Sequence, residues 1–175
     1  MGKFYIFLDI DGVFNDWDWL IAQIESGKIS RINSTYNFKP ESVCALNYLI
    51  TNLSKKYEID LVISSTWRYD MEKTKKILLK HNILLADKIH KTPRHFNPRY
   101  RGEEILEYLK DNNYNKDKDE FVIIDDEMFD FEKHFDKDKI IKTDIYHNSL
   151  SIKMVNNFLT KLQNKENEEE KSLLK

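Results

Sequence analysis

The apolar run Phe4-Tyr5-Ile6-Phe7-Leu8 stops at two carboxylates one residue apart, Asp9 and Asp11, with Gly12 and Val13 directly behind. A strand apolar at every position is buried on both faces, which is the habit of parallel sheets covered by helices. Acids at the carboxyl end of such a strand stand where open α/β sheets bind ligands. The ending recurs: Phe121-Val122-Ile123-Ile124 runs into Asp125-Asp126, and Ile59-Asp60-Leu61-Val62-Ile63 runs into Ser64-Ser65-Thr66-Trp67-Arg68.

Between these runs the apolar spacing turns helical. Pro40 suits the first turn of a helix carrying Val43, Leu46, Leu49, Ile50 and Leu53. Further helices are expected from about Asp70 to His81, from Gly102 to Lys110, and on Ile152, Val155, Phe158, Leu159 and Leu162. Ile83-Leu84-Leu85 reads as the start of a third short strand and Ile140-Ile141-Lys142 as a fifth. The alternation predicts an α/β fold, a Rossmann-like three-layer α/β/α domain with a mostly parallel five-stranded sheet. Residues 14–38, with Trp17, Trp19, Leu20, Ile21 and Ile24, read as a small flap-type cap containing a short amphipathic helix. The single domain is expected over 1–163, and 164–175 as a charged, disordered tail.

With 175 residues, 41% of them hydrophobic, the chain can bury one sizeable core. Its formal net charge of −2 gives no global pull toward nucleic acid or membrane. No leader-like amino-terminal apolar segment following a basic one and no membrane span is visible, and the single Cys44 cannot close an internal disulfide, so a cytoplasmic location is expected. Among Val43, Ala45 and Leu46, Cys44 reads as a small core residue. The sequence leaves the oligomeric state open.

If all strands run parallel, Asp9, Asp11, Ser64, Ser65, Asp125 and Asp126 meet at one edge of the sheet. Four acids in one crevice repel one another unless a cation neutralises them, and all-oxygen ligands favour a hard ion such as Mg²⁺. Hydroxyls beside the free N–H groups of a helix entrance make a seat for phosphate oxygens. Arg101, just before Gly102-Glu103-Glu104-Ile105, is placed to clamp phosphate at two points. Other readings stand beside these: Ser65 or Thr66 takes the phosphate-binding role of Ser64 or simply caps the next helix, and Arg101 pairs with Glu104 or Glu107 at the surface.

Asp9-Ile10-Asp11-Gly12-Val13 resembles the first motif of the haloacid dehalogenase (HAD) superfamily of phosphohydrolases. Ser64, Arg101 and Asp125-Asp126 follow in the order of its other motifs. More narrowly, Ile63-Ser64-Ser65-Thr66-Trp67-Arg68, Thr92-Pro93 and Arg101-Gly102-Glu103-Glu104-Ile105 look like the small-cap branch found in RNA-repair proteins. The resemblance implies that Asp9 is a nucleophile forming an aspartyl phosphate and Asp11 a proton carrier. It also implies that Asp9, the Asp11 carbonyl, Asp125 and Asp126 hold Mg²⁺, while Ser64 and Arg101 hold phosphate oxygens.

The activity implied is a Mg²⁺-dependent phosphomonoesterase acting on a nucleotide or a nucleic-acid terminal phosphate. Rival readings are a small-molecule phosphatase such as a mononucleotidase, and a noncatalytic binding module retaining the fold. The segment Lys88, His90, Lys91, Arg94, His95, Arg99 and Arg101, interleaved with Phe96 and Tyr100, suits an extended anionic substrate, the alternative being a solvated basic loop. Lys91, Arg94, Trp67 and Arg68 are therefore candidate substrate contacts. For Trp67 the alternative is core packing, and for Arg68 an ion pair with an acid of the last motif.

Overall fold

The computed structural model describes residues 1–29, 37–94 and 100–173. Its sheet contains β1 (Lys3–Leu8), β2 (Glu58–Ile63), β3 (His90–Lys91), β4 (Glu120–Asp125) and β5 (Ile140–Lys142), in the order β3-β2-β1-β4-β5. Every pair is parallel. The uniformly apolar β1 takes the centre, where Phe4 to Leu8 are each 0% exposed. Burying side chains of this kind contributes about 1.5–3 kcal/mol apiece.

Alternation along the strands divides the core in two. Phe4, Ile6, Leu8, Leu61, Ile63, Val122 and Ile124 pack on one face, against α2 (Pro40–Leu53), α3 (Met71–Lys80) and α6 (Ile152–Leu173). Tyr5, Phe7, Val62, Phe121 and Ile123 pack on the other, against α4 (Arg101–Asp111) and α5 (Phe131–His134). This is the three-layer α/β/α arrangement the sequence predicts. From β1 the chain winds outward through β2 to β3, then returns to lay β4 and β5 on the other side. The reversal beside β1 is the switch point at which open α/β sheets bind ligands.

Three expectations need correction. Ile83-Leu84-Leu85 is not a strand: it follows the end of α3, with Asn82 at φ 57° and Leu85 at φ 62°, and Ile83 drops into the core. The third strand is instead the exposed pair His90–Lys91, bonded to Val62 and Ile63. Cys44 is exposed, because the buried face of α2 runs through Ser42, Ala45, Leu46, Leu49, Ile50 and Leu53 and passes beside it. The tail is helical, since α6 runs on to Leu173 and Glu166 receives the Tyr57 hydroxyl at 2.6 Å and pairs with Lys56 at 2.7 Å.

The flap contains α1 (Trp17–Glu25), capped by Asp16, whose Oδ1 accepts the Trp19 N–H at 2.8 Å. Asp16 Oδ2 accepts from Lys39 Nζ at 2.9 Å and from the Ser149 hydroxyl at 2.6 Å. The Trp17 and Asp18 N–H groups bond the carbonyls of Ile145 and Tyr146. The first turn of α1 is thus fixed to the segment after β5. Residues 30–36 of the flap, and His95, Phe96 and Arg99 of the basic loop, lie outside the described residues. Among the described residues, no helix is long and apolar enough to cross a membrane.

Candidate active site

The strand register builds the site. Leu8 lies opposite Ile63 on one side and Ile124 on the other, so Asp9 emerges between Ser64 and Asp125. The Asp9 N–H donates to the Ile124 carbonyl at 2.9 Å, and the Ser64 N–H to the Leu8 carbonyl at 3.1 Å. Beyond Asp9 the chain turns back on itself, the Phe14 N–H reaching the Ile10 carbonyl at 3.0 Å. Gly12 sits in this turn at φ +73°, and a Cβ there would lie 2.5 Å from Asp126 Cγ. Glycine therefore lets Asp126 close against the first acidic motif. Carboxylate oxygens of Asp9, Asp125 and Asp126 lie within 4.8 Å of one another.

Arg101 enters this cluster from the first position of α4. Its Nη1 lies 2.6 Å from Asp125 Oδ2 and 3.1 Å from Asp9 Oδ1, and its guanidinium stands 4.1 Å from the centre of the Phe129 ring. The surface-pair reading is thereby corrected: Arg101 is buried on the acids that end β1 and β4. The start of α4 is set by Asp130, whose Oδ1 accepts the Gly102 N–H at 2.6 Å. A Cβ on Gly102 would come within 2.9 Å of His134, which itself lies 3.2 Å from Asp130 Oδ2.

Burial pushes the Asp9 carboxyl well above the usual range, the Asp125 charge adds to this, and Arg101 opposes it. Asp125 is raised for the same reason, burial exceeding the pull of Arg101. Asp126 is pushed up to about 6 by burial and by the charges of Asp125 and Glu127. One guanidinium thus leaves the three clustered acids short of positive charge. An all-oxygen donor set in this condition fits a hard divalent cation such as Mg²⁺.

Asp11 is only half-buried, and its Oδ2 accepts the Trp67 indole N–H at 2.9 Å. Trp67 also packs against the core, its ring 6.1 Å from that of Phe38. Ser64 is fully buried, and its Oγ has no hydrogen-bond partner among the described residues. Ser65 Oγ accepts the Trp67 N–H at 3.2 Å and so caps the 3₁₀ turn Thr66–Tyr69. The capping reading therefore describes Ser65, whereas Ser64 carries the spare hydroxyl.

Arg68 does not reach an acid of the last motif. Its Nη2 donates to Glu104 Oε1 and its Nη1 pairs with Glu104 Oε2, both at 2.8 Å. Nη1 also donates to the Ser64 carbonyl at 2.7 Å and to Thr92 Oγ1 at 2.9 Å. The buried guanidinium ties the end of β2, the residue after β3 and the first turn of α4 together. Sequence reasoning missed Glu104 and Thr92 as its partners. The available signal was an acid beside Ile105 and one helical turn from Tyr108, on the apolar stripe of α4, since a buried acid requires a partner. Lys91 is exposed at the sheet edge, with β2 between its strand and β1. Exposed Arg94 stands 4.6 Å from the centre of the Tyr69 ring.

The family model for the HAD domain in Swiss Army Knife RNA repair proteins matches residues 5–149. The chain belongs to this family. The matched span runs from β1 to Ser149, and so contains both acidic strand ends, Ser64 and Arg101. Membership points to a hydrolase, and HAD domains generally use Mg²⁺. Among curated proteins and among solved structures, no match to the chain was found.

Proposed function

We propose that this HAD domain is a Mg²⁺-dependent phosphomonoesterase that acts on the terminal phosphate of a nucleic acid through an aspartyl phosphate on Asp9. The observation that carries the reading is Arg101 on Asp9 and Asp125, beside the spare Ser64 hydroxyl, at the carboxyl edge of the central strands. Arg101 Nη1 carries both acid contacts, and the guanidinium has further N–H donors for phosphate oxygens. Ser64 supplies another.

Asp9 attacks phosphorus in line, forming an acyl phosphate and breaking the bond to the ester oxygen. Asp11 protonates that oxygen as it departs. A water then attacks the aspartyl phosphate, Asp11 takes its proton, and Asp9 is regenerated with inorganic phosphate released. Trp67 holds the Asp11 carboxyl in place for both transfers. Asp9, Asp125, Asp126 and the backbone carbonyl of Asp11 would hold Mg²⁺, which when bound offsets the charge on the nonreacting phosphate oxygens.

The cytoplasm is the proposed location, because the exposed Cys44 thiol persists in a reducing compartment. The activity is tested by phosphate release from oligonucleotides phosphorylated at either end. Release is expected to require Mg²⁺ and to fall by about 10³-fold or more in Asp9→Asn. Full activity in Asp9→Asn, or in the presence of a chelator, overturns the reading.

A further inference from the structure

Next to Asp11 lies a cavity that phosphate chemistry alone does not use. It is lined by Asp11, Thr66, Trp67, Tyr69, Lys73 and Ile77, among others, and has a volume of about 330 Å³. Sites for small molecules run from about 300 to 1,000 Å³, so this one holds a single nucleoside-sized group and no more. Tyr69 is 55% exposed there, so its ring is open to a ligand. The Arg94 guanidinium stands over it at 4.6 Å and that of Arg68 at 5.7 Å.

An in-line displacement places the departing oxygen opposite Asp9 and beside the acid that protonates it. Whatever leaves with that oxygen must then lie on the Asp11 side, where the cavity opens. Its lining sets the rings of Trp67 and Tyr69 among Asp11, Thr66, Asp70, Lys73 and Thr74, and Arg94 brings positive charge to the Tyr69 ring. Rings that stack bases beside cations that follow phosphates are the working parts of single-strand recognition.

We propose that this cavity is a leaving-group subsite for the terminal nucleoside of a single-stranded nucleic acid. The base stacks on the wall formed by Trp67 and Tyr69, and Arg94 meets the next phosphate along the strand. The proposal rests on the hydrolase reading above, since Asp11 defines the leaving side, but the two can fail separately.

The test uses the full chain carrying Asp9→Asn, an unphosphorylated dinucleotide as probe, and the tryptophan indole N–H resonances as readout, that of Trp67 being assigned with Trp67→Phe. The Trp67 resonance is expected to move saturably, and Tyr69→Ala to weaken the affinity about tenfold. Tyr48→Ala, an exposed tyrosine on α2, serves as the control and leaves the affinity unchanged. In the catalytically intact chain, Tyr69→Ala should lower kcat/KM for an end-phosphorylated oligonucleotide more than for a short alkyl phosphate. A Trp67 resonance that stays still, or equal losses on both substrates, overturns the subsite. Dinucleotide binding without phosphate release in the intact chain supports nucleoside binding in the cavity and overturns the hydrolase reading, whereas phosphate release without binding does the reverse.

Discussion

Trp67 donates its indole N–H to Asp11 Oδ2 at 2.9 Å, so the 3₁₀ turn after β2 orients the acid that follows β1. Phenylalanine keeps most of the packing and removes the donor. Leaving a buried hydrogen-bonding group without its partner costs about 1–3 kcal/mol, so Trp67→Phe is expected to lower kcat roughly 10- to 100-fold. Steady-state kinetics on an aryl phosphate measures this, and an unchanged kcat would mean that Asp11 is oriented by something else.

Arg101 is the positive charge that Asp9 and Asp125 share. Its removal leaves two buried carboxylates facing each other, and breaking such a pair costs about 3 kcal/mol or more. Arg101→Ala is therefore expected to unfold at markedly lower urea in the presence of a chelator, with part of the loss restored by Mg²⁺. Equal losses with and without Mg²⁺ would separate the guanidinium from the cation site.

Mg²⁺ itself should stabilise the wild-type chain. At a concentration 100 times its Kd a ligand adds about 2.7 kcal/mol, or roughly 5–10 °C in Tm for a domain of this size. Calorimetry with Mg²⁺ and with a chelator reads the shift directly, and Asp126→Asn should shrink it. Gly12→Ala should shrink it as well, because φ +73° strains alanine and its Cβ would press on Asp126.

Asp16 secures the flap through α1, Lys39 and Ser149. Burial pushes its carboxyl up, but the bonds from Ser149, Lys39 and Trp19 outweigh that and hold it below the ordinary aspartate value. A lowered carboxyl contributes stability that is fully present above the unfolded value and is lost as pH falls through the folded one. Asp16→Ala should cost about 2–3 kcal/mol at pH 7. Urea titrations should show the gap between variant and wild type holding down to about pH 5 and narrowing below 3.8. A gap that does not depend on pH would assign the loss to packing.

The strand ends were legible because a central parallel strand is apolar throughout, so Asp9, Ser64 and Asp125 each interrupt a run that otherwise has no polar residue at its end. The edge strand His90–Lys91 was not, since two exposed polar residues carry no such pattern. Ile83 misled for the converse reason, as an apolar loop residue filling the core beneath a turn. Arg68 and Glu104 lie 36 positions apart, and no local spacing reports a pairing set by how α4 meets β2. The segment 164–173 lacks a strong apolar stripe, yet its Glu, Lys and Leu residues favour helix, and Glu166 docks on Lys56 and Tyr57.

The central claim is covalent chemistry at Asp9, and the most direct measurement is to catch the phosphoryl group there. Substrate carrying labelled phosphate is mixed with the Mg²⁺-loaded chain, quenched in acid during turnover, and the chain is digested and mapped. The account predicts acid-stable label on the peptide containing Asp9, absent in Asp9→Asn and, with an aryl phosphate whose leaving oxygen needs no proton, accumulating when Asp11→Asn slows the second displacement. Sustained turnover with no label on the chain, or with label on any residue other than Asp9, would contradict it.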